Sequence, residues 1–254
     1  MHLILLFLTL LSSPAIACTG SEECALGERS YHVREPDGWD GTTPLPVMLH
    51  FHGWGRQGET IMGHGRIAGA TIPRSVLLVA PDGLNRSWDF RRADSRDTPF
   101  ARAVLADVAG RYPLDGRLIV SGYSWGALMA ARFACDGGTR IDALLLVSGA
   151  LPVATPCQGP APARISHVHG RDDTVLDFPY GPDGDETFAV ALWRDHLSCG
   201  PESRRFDWQA VSWLTHSRHE WDCADGLVTM DIHPASHLIP RGWFAHLLDE
   251  VLTK

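Results

Sequence analysis

The chain has 254 residues, 44% of them hydrophobic and 20% charged, a balance that excludes a disordered or fibrous protein. Its formal net charge is −8 and no basic block occurs along it, which argues against nucleic acid as a partner, because that affinity comes mainly from Lys and Arg neutralising phosphates. The length suits one large domain, and no internal repeat or low-complexity linker divides it.

The first predicted element is a leader. Leu3 to Leu11 is an almost unbroken apolar run, followed by Ser12-Ser13-Pro14 and Ala15-Ile16-Ala17. A core too short for a membrane span, ending in Ala-x-Ala, reads as a signal peptide over residues 1–17, leaving 18–254 as a single exported domain. Cys18 directly follows the expected cut, so a lipid anchor on that residue is the alternative, although Ala15 stands where such anchors usually have Leu. All six cysteines lie beyond the cut, and an even set in an exported chain reads as disulfides. Six cysteines allow 15 pairings; the simplest joins neighbours along the chain, Cys18–Cys24, Cys135–Cys157 and Cys199–Cys223.

Short apolar runs bounded by Gly, Pro or Asp then read as buried strands: Val47–Phe51, Val76–Ala80, Leu118–Val120, Ala143–Val147, Ile165–His169 and Val228–Ile232. Helical spacing appears in Phe100, Val104, Leu105, Val108 and Tyr112, in Trp125 to Phe133, and in Trp243, Phe244, Leu247, Leu248, Val251 and Leu252 after Pro240. Strands alternating with helices predict an α/β architecture with a mainly parallel sheet covered on both faces. Leu151 to Pro162, rich in Pro, reads as a long loop within the one domain.

The chemistry gathers at the ends of these strands. Gly122-Tyr123-Ser124-Trp125-Gly126 lies between a β-branched run and an Ala-rich helix, the setting of a nucleophile elbow. There Ser124 is raised on a tight turn, and the helix behind it favours developing negative charge. A serine needs a base, and the base an orienting acid, in chain order Ser, acid, His. Asp173, on the loop after Ile165–His169, is the first choice for the acid, with Asp172 and Asp177 as alternatives. For the base, His237 in the loop before the last helix is preferred to His233 at a strand end, while His216 and His219, in a polar stretch, read as surface groups. An oxyanion requires preorganised donors: the N–H of Trp125, and that of Trp54 or Gly53 in His52-Gly53-Trp54-Gly55. His50 and His52 alternate on a strand and so point to opposite faces, which disfavours a shared metal site. Asn85 and Trp88, with the two cleft tryptophans, are candidates for binding substrate.

These residues, together with Ala80-Pro81-Asp82-Gly83, His169-Gly170-Arg171-Asp172-Asp173 and Ser236-His237-Leu238-Ile239-Pro240, resemble the polyhydroxybutyrate depolymerase-like esterases, a group close to feruloyl and acetylxylan esterases. The resemblance covers nearly all of residues 18–254. It implies an α/β-hydrolase fold with little or no cap domain. It also implies a secreted serine esterase that works through an acyl-serine intermediate without metal or organic cofactor, with catalytic Ser124, Asp173 and His237. In that family the acid typically follows the His of the His-Gly pair by four residues, which selects Asp173, and the histidine lies in a Gly-Gly-His-x-x-Pro-like segment, which selects His237. Ala235-Ser236 depart from those glycines, and Leu176-Asp177 stand where Val-Pro is common. The 254 residues contain no linker or second polymer-binding domain, so the expected substrates are soluble esters or short oligomers such as those of 3-hydroxybutyrate. The alternatives are a feruloyl or acetylxylan esterase acting on plant polysaccharide and, more remotely, a non-catalytic binding protein on a hydrolase scaffold. No membrane span is expected, and the sequence carries no signal for oligomeric state.

Overall fold

The computed structural model describes residues 18–20 and 22–253, so the leader expected over residues 1–17 lies outside the described residues. Among the described residues, ten strands form one sheet: β1 (Cys24–Leu26), β2 (Arg29–Arg34), β3 (Leu45–Phe51), β4 (Leu77–Pro81), β5 (Leu114–Tyr123), β6 (Ala143–Val147), β7 (Arg164–Gly170), β8 (Arg204–Val211), β9 (Leu214–Cys223) and β10 (Gly226–His233). Their spatial order is β1-β2-β4-β3-β5-β6-β7-β10-β9-β8. From β4 through β10 every neighbouring pair runs parallel, while β1 and β2 at one edge and β9 and β8 at the other are antiparallel.

The apolar runs predict the parallel core because each of its strands is covered on both faces: every residue of β3, β4 and β6 is buried. The helices are α1 (Glu59–Met62), α2 (Ala68–Thr71), α3 (Asp97–Arg111), α4 (Trp125–Cys135), α5 (Ala191–His196) and α6 (Trp243–Leu252). Side chains alternate across each strand. Leu49, Phe51 and Val120 therefore pack on one face with Val104, Val108, Met129 and Phe133 of α3 and α4. Met48, Ile119 and Leu145 pack on the other with Trp243, Phe244 and Leu247 of α6.

The antiparallel strands escape a pattern based on apolar runs. β8 is largely exposed at the sheet edge, and β9 alternates polar residues whose buried members include His216, Arg218 and His219. The expectation that His216 and His219 are surface groups is therefore corrected. β9 lies between β8 and β10, and the His216 ring stacks on Trp208 at 4.6 Å. All three neighbour disulfides are present. The Cys18 sulfur is bonded to Cys24, so it does not offer the thiol that a lipid anchor requires. No helix among the described residues is long and apolar enough to cross a membrane.

Candidate active site

Strand β5 ends at Tyr123, and the chain turns at Ser124 with φ 57° and ψ −123°, a left-handed conformation that a side-chain-bearing residue rarely adopts. The turn holds because its flanks lack side chains. A Cβ on Gly122 would lie 2.1 Å from the Gly126 carbonyl oxygen, and one on Gly126 would lie 1.9 Å from that of Phe51. Ser124 donates its backbone N–H to Val147 and accepts from Ala127 and Leu128, which starts α4 directly at the serine. This is local geometry written in the Gly-x-Ser-x-Gly pattern.

Beyond β7, the loop carrying Asp173 meets the loop carrying His237. A Cβ on Gly170 would stand 2.1 Å from the Ala235 carbonyl oxygen, and Arg171 N–H donates to the His233 carbonyl at 2.7 Å. Asp173 is buried; its Oδ1 accepts the N–H groups of Val175 (2.9 Å) and Leu176 (3.0 Å). Its Oδ2 accepts the Nδ1–H of His237 at 2.6 Å, which leaves His237 Nε2 as the proton-accepting nitrogen. Asp172 and Asp177 are exposed. His233 stays buried at the end of β10, where its Nδ1 accepts the Ala235 N–H and burial holds its pKa down at about 4. Of the alternatives weighed, the structure brings together Asp173 and His237.

Sequence reasoning missed a third group on the acid. His169 Nε2 lies 3.0 Å from the Leu176 carbonyl and 3.2 Å from Asp173 Oδ2, so it carries the proton and shares it between them. Its Nδ1 then accepts from His167 Nε2 at 3.2 Å. The one available cue was a histidine closing a buried strand just before the acid loop.

The second loop at the cleft follows β3. His52 Nδ1–H donates to the Gly53 carbonyl (2.9 Å), His52 Nε2 accepts the Gly83 N–H (3.0 Å), and Trp88 Nε1–H donates to the His52 carbonyl (2.8 Å). Burial holds the His52 pKa down at about 4, in keeping with this neutral tautomer. Gly55, at φ 74°, turns its N–H to the Arg86 carbonyl. None of the N–H groups of Gly53, Trp54 and Trp125 takes an acceptor among the described residues. Gly53 borders Ser124: a Cβ there would lie 3.7 Å from the serine Cβ.

Trp88 does not line the cleft. It is buried behind the loop against Phe51 and His52, and its indole N–H is engaged, so its expected substrate role is corrected to support of the loop. Asn85 sits on an exposed left-handed turn and likewise is not part of the cleft wall. Trp54 and Trp125 are there, with ring centroids 6.1 Å apart.

Ser124 and His237 line one open cleft of about 440 Å³ with Trp54, Arg56, Tyr123 and Trp125. No hydrogen bond joins Ser124 to His237 in this structure; such contacts often tighten only with substrate bound. Tyr123 braces His237, with its hydroxyl donating to the His237 carbonyl at 3.1 Å and its ring centroid 4.9 Å from the imidazole. Burial, reinforced by the Asp173 charge, pushes the Tyr123 pKa up to about 12, so the hydroxyl stays protonated.

No family model matches the chain. It is similar to Feruloyl esterase D of Neurospora crassa, 28% identical over 165 residues, which is 60% of this chain and 56% of that protein. It is also similar to the Probable feruloyl esterase C of Aspergillus niger, 26% identical over 167 residues, 63% of this chain and 60% of that protein. The matches thus span less than two-thirds of these curated relatives. Among solved structures it resembles an acetyl xylan esterase from Aspergillus awamori, with a TM-score of 0.65 and 12% identity over 91% of this chain and 97% of that one. The FphF serine hydrolase of Staphylococcus aureus gives a TM-score of 0.57 at 12% identity, over 89% and 91%. Together with the sheet order and crossovers, this likeness identifies the α/β-hydrolase fold.

Proposed function

We propose that this chain is a secreted serine esterase that hydrolyses carboxylic esters through an acyl-serine intermediate. The observation that carries the reading is the 2.6 Å hydrogen bond from His237 to buried Asp173, in a cleft shared with Ser124 on its strained turn. In the first step His237 Nε2 takes the Ser124 hydroxyl proton as Oγ adds to the ester carbonyl. The N–H groups of Trp125 and of Trp54 or Gly53, free of other acceptors, receive the oxyanion. Collapse expels the alcohol with the proton from His237. Water activated by the same imidazole then releases the acid. Asp173, which accepts the Nδ1–H, holds the imidazolium in place.

The substrates in this reading are soluble esters or short oligomers, as the resemblance to depolymerase-like esterases implies. The names of the curated relatives favour a second reading, a feruloyl esterase; an acetylxylan esterase acting on plant polysaccharide is the neighbouring alternative. Turnover of methyl ferulate, acetylated xylan and 3-hydroxybutyrate oligomers under one protocol separates the two. Secretion is supported by the leader-like residues 1–17 and by three disulfides, which persist in oxidising compartments.

The test is hydrolysis of p-nitrophenyl butyrate and labelling by a fluorophosphonate probe. Wild-type protein is expected to do both, and Ser124→Ala to lose labelling and at least about a thousandfold in kcat. Activity retained in Ser124→Ala removes the nucleophile assignment; a wild-type chain that neither labels nor turns over is a non-catalytic binding protein.

A further inference from the structure

A second hollow of about 330 Å³ adjoins the cleft, and the two meet at Gly53, Arg56 and Tyr123. Gly53 and Tyr123 belong to both, but the triad and the oxyanion donors make no use of the side chains of His50, Arg56 and His64. Its wall includes His50, which is fully buried and whose Nε2 has no partner. The Ser121 hydroxyl lies 2.9 Å from His50 Nδ1 but 3.5 Å from its other acceptor, the Leu49 carbonyl, so its one proton goes to Nδ1. The neutral imidazole therefore carries its own proton on Nε2, as an unpaired donor in the cavity wall.

His64 lines the same hollow, and its Nδ1 accepts the Arg66 N–H at 3.3 Å, so its proton too is on Nε2. Arg56 is exposed at the junction and forms no ion pair among the described residues. The other side-chain polar hydrogens of the wall are committed: Thr60 donates to the Gln57 carbonyl and Tyr123 to that of His237. No carboxylate among the described residues lines the hollow, and apolar walls of Ile61, Ile67 and Ile239 surround its donors. In a protein of net charge −8, this is a small site with one fixed positive charge and two free N–H donors. A buried donor left unpaired is destabilising, and a charged oxygen is the partner to which all three groups donate.

Building on the serine esterase reading, we propose that this hollow binds a carboxylate carried by one arm of the substrate, with Arg56 supplying the charge and His50 and His64 the hydrogen bonds. The preferred substrates are then esters that end in a free acid, such as a hydroxyacid oligomer with an uncapped terminus.

Two ligand pairs differ only in this group. The 3-hydroxybutyrate dimer and its methyl ester place the carboxylate on the alcohol arm; mono-p-nitrophenyl glutarate and p-nitrophenyl butyrate place it on the acyl arm. Binding is measured calorimetrically on Ser124→Ala, which does not consume the ligand, and kcat/KM on wild type. In at least one pair the acid is expected to bind about tenfold more tightly than its neutral partner, since hydrogen bonds to a charged group are stronger than those to a neutral one. Arg56→Gln, and separately His64→Ala, should each bring that ratio close to one, and both residues are accessible enough for the variants to fold. Equal affinity of acid and neutral partner in both pairs overturns the proposal. So does a preference that both substitutions leave intact. Failure of the esterase reading is distinguished by wild type that is inert to the fluorophosphonate probe, since carboxylate binding by Ser124→Ala is read independently of turnover.

Discussion

Asp173 holds two loops with one carboxylate. Its Oδ1 closes the turn through Val175 and Leu176, and its Oδ2 fixes the tautomer of His237 while receiving a shared proton from His169. Asp173→Asn keeps the volume but can present an N–H to His237 Nδ1, which drives the imidazole proton to Nε2 and abolishes the base. The expected loss in kcat is about 10³–10⁴-fold, with the circular dichroism spectrum preserved; a loss under tenfold would show that Asp173 does not orient the base. Residue type and chain order made Ser124 and the Asp173 region legible in the sequence. They could not separate Asp173 from Asp172, because that choice depends on which carboxylate the turn buries. Trp88 was misread for a related reason: an indole that reaches a cleft and one that braces its loop from behind look alike until the indole N–H is placed.

At the scale of elements, β9, β10 and α6 are tied by a buried ionic group that no apolar pattern announces. Arg218 donates twice to Asp231 at 2.8 Å, and Asp231 also accepts the indole N–H groups of Trp208 and Trp243 at 2.7 Å each. Glu250 of α6 meets Arg218 from the other side at 2.9 Å. Both Arg218 and Asp231 are buried. Replacing such a pair by apolar residues can be neutral, but removing one member leaves the other charged and unmatched. Arg218→Met is therefore expected to cost about 3–5 kcal/mol in urea unfolding, whereas the double variant Arg218→Met/Asp231→Leu should recover a part of it. A cost below about 1 kcal/mol for the single variant would show that Asp231 is relieved by solvent. The same network explains why the sequence of β9 reads as a polar stretch: its inward face is filled by charge and imidazole rather than by aliphatic side chains.

For the molecule as a whole, buried neutral histidines set an acid limit. Burial holds His50 at about 3 and His52 and His233 at about 4, against an ordinary value of 6.5. Between those values the unfolded chain binds protons that the folded one does not. The stability these groups confer is complete above about pH 6.5 and is lost as the pH falls toward 4 and 3. Burial alone would raise Glu250, but hydrogen bonding to His246 and the charges of Arg218 and Arg164 outweigh it and bring it to about 2. Its contribution is present above its ordinary value of 4.5 and disappears as the pH falls through 2. The melting temperature should thus decline steadily from pH 6.5 downward, with His233→Gln flattening the upper part of that slope; a melting temperature constant between pH 7 and 4 would contradict it. Along the chain, the sequence alone determined the parallel core and the strand-turn-helix around Ser124, because apolar period and glycine placement are local quantities; it left the cysteines 15 pairings, of which the structure has the neighbour set. Only the tertiary structure decided the antiparallel edges, the contact between Asp173 and His237, the approach of His169 to the same carboxylate, and the donor-lined hollow behind Tyr123. Each of these depends on which distant backbone arrives beside a polar side chain, and therefore on which groups are buried with a partner and which without.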